Sequence, residues 1–115
     1  MPEVSTTALP EGATTGAPPA VQPVGTLQQV LAALADPVRL EMVRRLAQTS
    51  EPMACGLLYE GINKSTASHH FKILREAGLT ERVMIGGQTH QLLRAQAVDE
   101  ALPGVLPSVI AAAGR

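Results

Sequence analysis

The stretch Gly61-Ile62-Asn63-Lys64-Ser65-Thr66-Ala67-Ser68-His69-His70-Phe71-Lys72-Ile73-Leu74-Arg75-Glu76-Ala77-Gly78-Leu79 decides the fold. Asn63 predicts a helix start, because its side-chain oxygen can accept amide protons that the first turn leaves free. Gly78 predicts the stop, since glycine takes the left-handed conformation that closes a helix at little cost. Between them Ala67, His70, Phe71, Leu74 and Ala77 recur at three- and four-residue spacing and define an inward stripe. That leaves Lys64, Ser65, Thr66, Ser68, His69, Lys72 and Arg75 on the other side, most of them in the first two turns. Short hydroxyl and imidazole groups at that end can reach base edges in a major groove without holding the helix away. Lys64, Lys72 and Arg75 suit phosphates, and the helix N-terminus adds free amides and partial positive charge.

Working outward, Leu79–Ile85 and Gln88–Arg94 are β-prone and joined by Gly86-Gly87, a loop able to supply the positive φ angles of a tight hairpin. On the other side, Met53–Glu60 predicts a short helix with Met53, Leu57 and Leu58 inward, closed by Gly61. Asp36-Pro37 predicts a further helix start: the carboxylate caps, and proline occupies the first position, where its missing N–H costs nothing. That helix runs to about Gln48, with Val38, Met42, Val43 and Leu46 inward and Arg39, Glu41, Arg44 and Arg45 outside. Thr26 caps a first helix whose Leu27, Val30, Leu31 and Leu34 keep the same period, and Pro103 divides two final helical pieces, Ala95–Leu102 and Gly104–Ala113. Two helices joined by Gly61-Ile62-Asn63, the second followed by a glycine-tipped hairpin, make a winged helix-turn-helix. The expected class is mainly α, with about five helices plus a two-stranded wing. Residues 1–25 hold five of the nine prolines and no apolar period, predicting a disordered arm ahead of a domain over residues 26–115.

A chain of 115 residues makes one domain, and no apolar run approaches the length of a membrane span. The absence of Lys or Arg before Arg39 predicts neither a secretory nor a transit signal, and hence a cytoplasmic protein. The aromatic share of 2% excludes a single-strand binder, which needs exposed rings to stack bases, so a nucleic-acid partner would be a duplex. The net charge of −1 looks unsuited to DNA until it is divided. Residues 61–94 hold five basic against two acidic residues, net +3, and the rest of the chain is −4.

Leu34-Ala35-Asp36-Pro37-Val38-Arg39-Leu40, the run Ser65–Leu79 and Gly86 at the wing tip resemble the ArsR/SmtB-type winged-helix repressors over about residues 26–113. The resemblance implies a homodimeric repressor that binds an inverted-repeat operator and releases it on a signal. Together with the outward face read above, DNA contact is expected from Asn63, Lys64, Ser65, Thr66, Ser68, His69, Lys72 and Arg75, with Arg82, Gln88 and His90 the polar candidates on the wing. The resemblance assigns the dimer interface to Leu27, Val30, Leu31 and Leu34 on the first helix and Val105, Leu106, Val109 and Ile110 on the last.

Several departures accompany it. Where metal-sensing members carry Cys-x-Cys, this chain has Met53 and Cys55, and Gly104–Arg115 offers no ligand at all. Adjacent His69 and His70 diverge by about 100° around a helix, so they do not combine readily with Cys55 or His90 on one ion. No metal or cofactor is expected, and the inducer is left open. Cys55 stands as a possible redox thiol, which would make the protein a thiol-responsive repressor. Ser65 and His69 have catalytic spacing but no acid partner or oxyanion turn, so an enzyme is not expected. Val83-Met84-Ile85 replaces the basic residues that often precede the wing glycine. That apolar wing supports the alternative of a protein-interaction module without DNA binding.

Overall fold

Thr26 opens the first helix through a reciprocal cap. Its hydroxyl accepts the Gln29 amide proton at 3.2 Å, and the Gln29 side chain accepts from the Thr26 amide at 2.8 Å. Helix α1 follows over Leu27–Leu34 in the computed structural model, which describes residues 21–114. Asp36 then accepts from the amides of Val38 at 2.9 Å and Arg39 at 3.1 Å, starting α2, Pro37–Leu46, two residues shorter than expected. Asn63 caps α3, Lys64–Glu76, and Gly78 ends it at φ +79°. The wing strands are β2, Thr80–Ile85, and β3, Gln88–Leu93, paired antiparallel from Thr80↔Leu93 to Ile85↔Gln88. Gly86 and Gly87 turn between them at φ +58° and +78°. Helices α4, Ala95–Ala101, and α5, Val105–Ala112, complete the described residues.

One expected element is absent. Met53–Glu60 is not a helix: Met53–Ala54 forms a strand, β1, and Cys55–Leu57 a single 3-10 turn. Eight residues with Gly56 at the centre cannot sustain a helix without tertiary support. The backbone instead satisfies the open edge of β3 through Met53↔Gln91 and Ala54↔His90. The wing therefore belongs to a three-stranded sheet in the order β1-β3-β2 rather than standing as a two-stranded ribbon.

This change redirects the side chains that follow. Leu58 is fully buried, whereas Leu57, expected inward beside it, is 63% exposed. Leu58→Ala is thus expected to cost about 2–5 kcal/mol, and Leu57→Ala less than about 0.5 kcal/mol, measured by denaturant unfolding. Equal losses would restore the helical register.

The core collects Val30, Ala33 and Leu34 of α1, Met42, Val43 and Leu46 of α2, and Ala67, Phe71 and Leu74 of α3, with Leu58, Ala77, Leu79, Val98 and Leu106. Tyr59 meets the Phe71 ring edge-on at 6.1 Å, so both rings serve packing. The dimer stripes proposed from sequence are consequently divided. Val30, Leu34 and Leu106 are spent within the protomer's own core, Val105, Val109 and Ile110 are half-buried, and Leu27 and Leu31 are exposed.

Arg39, expected on the outer face of α2, turns inward. Its Nε donates to the Ala33 carbonyl at 2.7 Å, and one terminal nitrogen lies 3.0 Å from His70 Nδ1. Arginine can only donate, so Nδ1 accepts and the ring proton sits on Nε2. The guanidinium thereby satisfies a carbonyl left open at the end of α1 and ties it to α3. Burial pushes the neighbouring Asp36 carboxyl up. The Arg39 amide and guanidinium charge, with the Val38 amide, outweigh it and hold the carboxyl below its ordinary range.

Elsewhere on α2, hydrogen bonds from Arg44 and Arg45 hold Glu41 at about 2. A depressed carboxyl stabilises the fold above its unfolded value and loses that contribution as pH falls through its folded one. Acid unfolding should therefore carry a Glu41 component between its ordinary value of 4.5 and about 2. Following the unfolding midpoint of Glu41→Gln across that range checks it: the variant should lose less stability on acidification than the parent.

The proposed disordered arm, residues 1–25, lies outside the described residues except for its last five. Of these, Gln22–Gly25 is held in place. The Gly25 amide donates to the Ala77 carbonyl at 2.9 Å, and Arg94 donates to the carbonyls of Gln22 at 2.6 Å and Gly78 at 2.9 Å. The final residues of the arm are thus a strap across the end of α3.

Candidate nucleic-acid interface

The α3 surface follows from the burial of one side. Ala67, Phe71 and Leu74 are at most 5% exposed, which fixes the rotation of a thirteen-residue helix about 20 Å long. Lys64, Ser65, Thr66, Ser68, His69 and Lys72 are then exposed together. His70, on the inner side, is taken up by Arg39.

Two residues assigned to DNA contact are less free than the rest. Asn63 Oδ1 accepts the Thr66 amide proton at 2.8 Å, so its oxygen serves the helix cap. Arg75 is half-buried in a cleft against the wing, where Arg82 of β2 reaches the same space. Burial, and then the charge of Arg82, lower the affinity of the Arg75 guanidinium for its proton, partly offset by Cys55 and Glu76.

The electrostatics of the first turn are unusual for a helix that only has to be stable. It carries no acidic residue and has Lys64 at its first position. A cation there opposes the positive end of the helix dipole, which disfavours the helix by a few tenths of a kcal/mol and favours an approaching anion. Local preference gives way here, as it commonly does at binding sites.

On the wing, Arg82 and Gln88 are exposed, but so are Met84 at 60% and Ile85 at 46%. The tip therefore offers apolar surface beside few polar groups. Arg94, counted in the basic segment, is occupied by the strap at the opposite end of α3.

Other residues weighed from the sequence do not assemble. Among the described residues no group of three or more His, Cys, Asp or Glu could hold a metal ion. His69 and His70 have ring centres 6.1 Å apart, and His90 Nδ1 lies 3.1 Å from the Gln88 carbonyl oxygen. Cys55 is half-buried with the Gln91 amide nitrogen 3.7 Å from its sulfur. Among the described residues no helix is long and apolar enough to cross a membrane.

Sequence reasoning missed Arg39 and Gln91. Arg39 sits at a position where helical periodicity points outward, and Gln91 looks like an ordinary strand residue. Nothing in the run Gln88–Leu93, whose burial does not alternate, marks the latter's position in advance.

Comparison with known proteins agrees with this arrangement. Residues 34–83 match a helix-turn-helix domain model. The chain is 39% identical over 83 residues to the HTH-type transcriptional regulator YceK of Bacillus subtilis (strain 168), covering 70% of this chain and 83% of that one. The crystal structure of the transcriptional repressor BigR from Xylella fastidiosa superposes with a TM-score of 0.53 at 27% identity, over 66% of this chain and 85% of that one. An ArsR-family transcriptional regulator, RHA00566, shares the fold with a TM-score of 0.57 at 19% identity, over 65% and 82% of the two chains. With the capped α3, the wing and these relatives together, the chain belongs to the helix-turn-helix transcriptional regulators, DNA-binding proteins rather than enzymes, and shares the winged fold of the ArsR-family structure.

Proposed function

We propose that the protein is a dimeric repressor that inserts α3 into successive major grooves of an inverted-repeat operator, in the cytoplasm, and responds to a signal other than a metal held by the usual family ligands. The observation that carries this reading is the exposed set Lys64, Ser65, Thr66, Ser68, His69 and Lys72 on a helix whose other side is locked in the core. Lys72 touches phosphate and the short hydroxyls of Thr66 and Ser68 meet base edges, a division that follows from reach and charge. Exposed Leu27 and Leu31 on α1 support pairing of two copies, since monomers seldom leave such neighbours uncovered. A two-fold dimer places two recognition helices about 34–36 Å apart, one turn of duplex.

The test is a binding titration against the DNA upstream of the protein's own gene. Lys72→Ala should weaken binding to specific and random duplex alike and lower the salt slope by about 0.9, as loss of one phosphate contact requires. Thr66→Ala or Ser68→Ala should relax preference at one base position and lose about 1–3 kcal/mol of discrimination there. Equal loss on every sequence for all three variants would contradict the division of roles. No binding at low salt by an intact dimer would favour the protein-interaction reading, for which the exposed Met84 and Ile85 are the support. Comparing reduced, oxidised and Cys55→Ser protein separates a thiol-responsive repressor from one whose signal lies elsewhere.

A further inference from the structure

Between α3 and the wing lies a cleft of about 180 Å³. Lys64, Ser68 and Arg75 reach it from α3, Arg82 from β2, and Thr89 and Gln91 from β3. Three of these residues are cations and none is a carboxylate. Among the described residues neither Arg75 nor Arg82 makes an ion pair, although the two guanidiniums repel each other.

Gln91 adds a second, independent sign. It is 1% exposed, yet its Oε1 has no hydrogen-bond partner, while Nε2 lies 3.7 Å from Cys55 Sγ. Turning the amide over lets the Cys55 thiol donate to the oxygen and leaves the NH2 unpaired instead. In either orientation one end of a buried amide wants a partner, at a cost of about 1–3 kcal/mol when none is present. In the second orientation that end is a donor, on a residue that lines the cleft together with Ser68 and the basic side chains. The Thr89 hydroxyl, which now donates only to the weak acceptor Met84 Sδ at 3.5 Å, is free to turn as well. The cleft is well below the roughly 300–1,000 Å³ of sites for drug-sized molecules, so it suits a single small group rich in acceptors.

We propose that this cleft is an oxyanion seat, taking one phosphate or carboxylate group, and that a free small oxyanion bound there competes with duplex DNA. The competition rests on the DNA reading above, because Lys64, Ser68, Arg75 and Arg82 are shared between the seat and the interface. A backbone phosphate of the duplex has the same chemistry, so the experiment must distinguish the two sources.

The probe is orthophosphate, titrated into DNA-free protein against chloride at matched ionic strength. The readout is the NMR signal of the Gln91 side-chain amide and its β3 neighbours. Saturable shifts with orthophosphate alone are expected. They should weaken at least tenfold in Arg75→Gln/Arg82→Gln, and also in Gln91→Leu, which removes the unpaired amide and should melt no lower than the parent. With labelled duplex present, orthophosphate should raise the apparent Kd in step with its occupancy and beyond the effect of chloride. No saturable shift, or the same shift in both variants, overturns the seat. A lower DNA salt slope in the double variant without orthophosphate binding overturns the free-ligand claim and assigns the cleft to backbone phosphate. Saturable binding by a protein that shifts no duplex sinks the DNA reading and the competition with it, and leaves the seat standing.

Discussion

Gly78→Ala is expected to lose about 3 kcal/mol or more of folding stability, lowering the melting temperature by roughly 12–24 °C for a domain of this size. Two independent costs combine at this position. The backbone sits at φ +79°, a conformation that disfavours a side chain by about 1–2 kcal/mol. A Cβ would also lie 2.5 Å from the Pro23 carbonyl oxygen and 2.6 Å from Val24 Cα. Both are backbone atoms, so no rotamer change relieves the contact. The strap would have to lift, breaking the bond from the Gly25 amide to Ala77 and the one from Arg94 to Gln22. Thermal unfolding measures the total, and a chain truncated before Gly25 separates the terms. If the strap is the obstacle, the penalty of Gly78→Ala in the truncated chain should fall to the conformational part alone. An undiminished penalty would mean that the close approach of Pro23 and Val24 contributes nothing.

The second large effect concerns pairing. Leu27→Glu/Leu31→Glu should leave the fold nearly unchanged, because both side chains are more than 40% exposed in the protomer. It should convert a dimer to a monomer by sedimentation. DNA affinity should drop about 100-fold or more, since the second half-site is no longer bound intramolecularly. A variant that remains dimeric would move the interface to α5, and one that becomes monomeric yet binds DNA as tightly as the parent would remove the need for two copies. Val30, Leu34 and Leu106 cannot serve this test: truncating them opens the protomer's own core and confounds pairing with unfolding.

Much of the fold is legible because its boundaries are chemical. Thr26, Asp36 and Asn63 each cap a helix through their own side chains, and Gly78, Gly86 and Gly87 adopt the positive φ their neighbours demand. The segment from Met53 to Glu60 is not legible in this way. Its conformation is decided by an unpaired strand edge that lies some 35 residues further along the chain, and apolar spacing over eight residues cannot report a partner so distant. The strap fails for a similar reason. Gln22–Gly25 carries no periodic signal of its own and is ordered by acceptors and donors that α3 and Arg94 provide.

The interface divides along the same line. Lys64 through Lys72 could be read from spacing alone, because exposure on a helix is the complement of a clear apolar stripe. The placements of Asn63, Arg39 and Arg75 could not, because each depends on what lies opposite in three dimensions: an amide of the first turn, the end of α1 and a ring of α3, and a cleft shared with the wing. A long, charged, multi-donor side chain such as arginine has too much reach for periodicity to place its end.

Arg39 also has a mechanical meaning. It grips the Ala33 carbonyl of α1 with one nitrogen and approaches the His70 ring of α3 with another, so a single side chain separates the helix bearing Leu27 and Leu31 from the helix that reads DNA. If two copies pair through α1, as proposed above, a tilt of α1 at their seam would pass through that planar fork to α3. In the proposed dimer the span between two reading heads would then be set at that seam like the gauge of a caliper, with Arg39 as its pin.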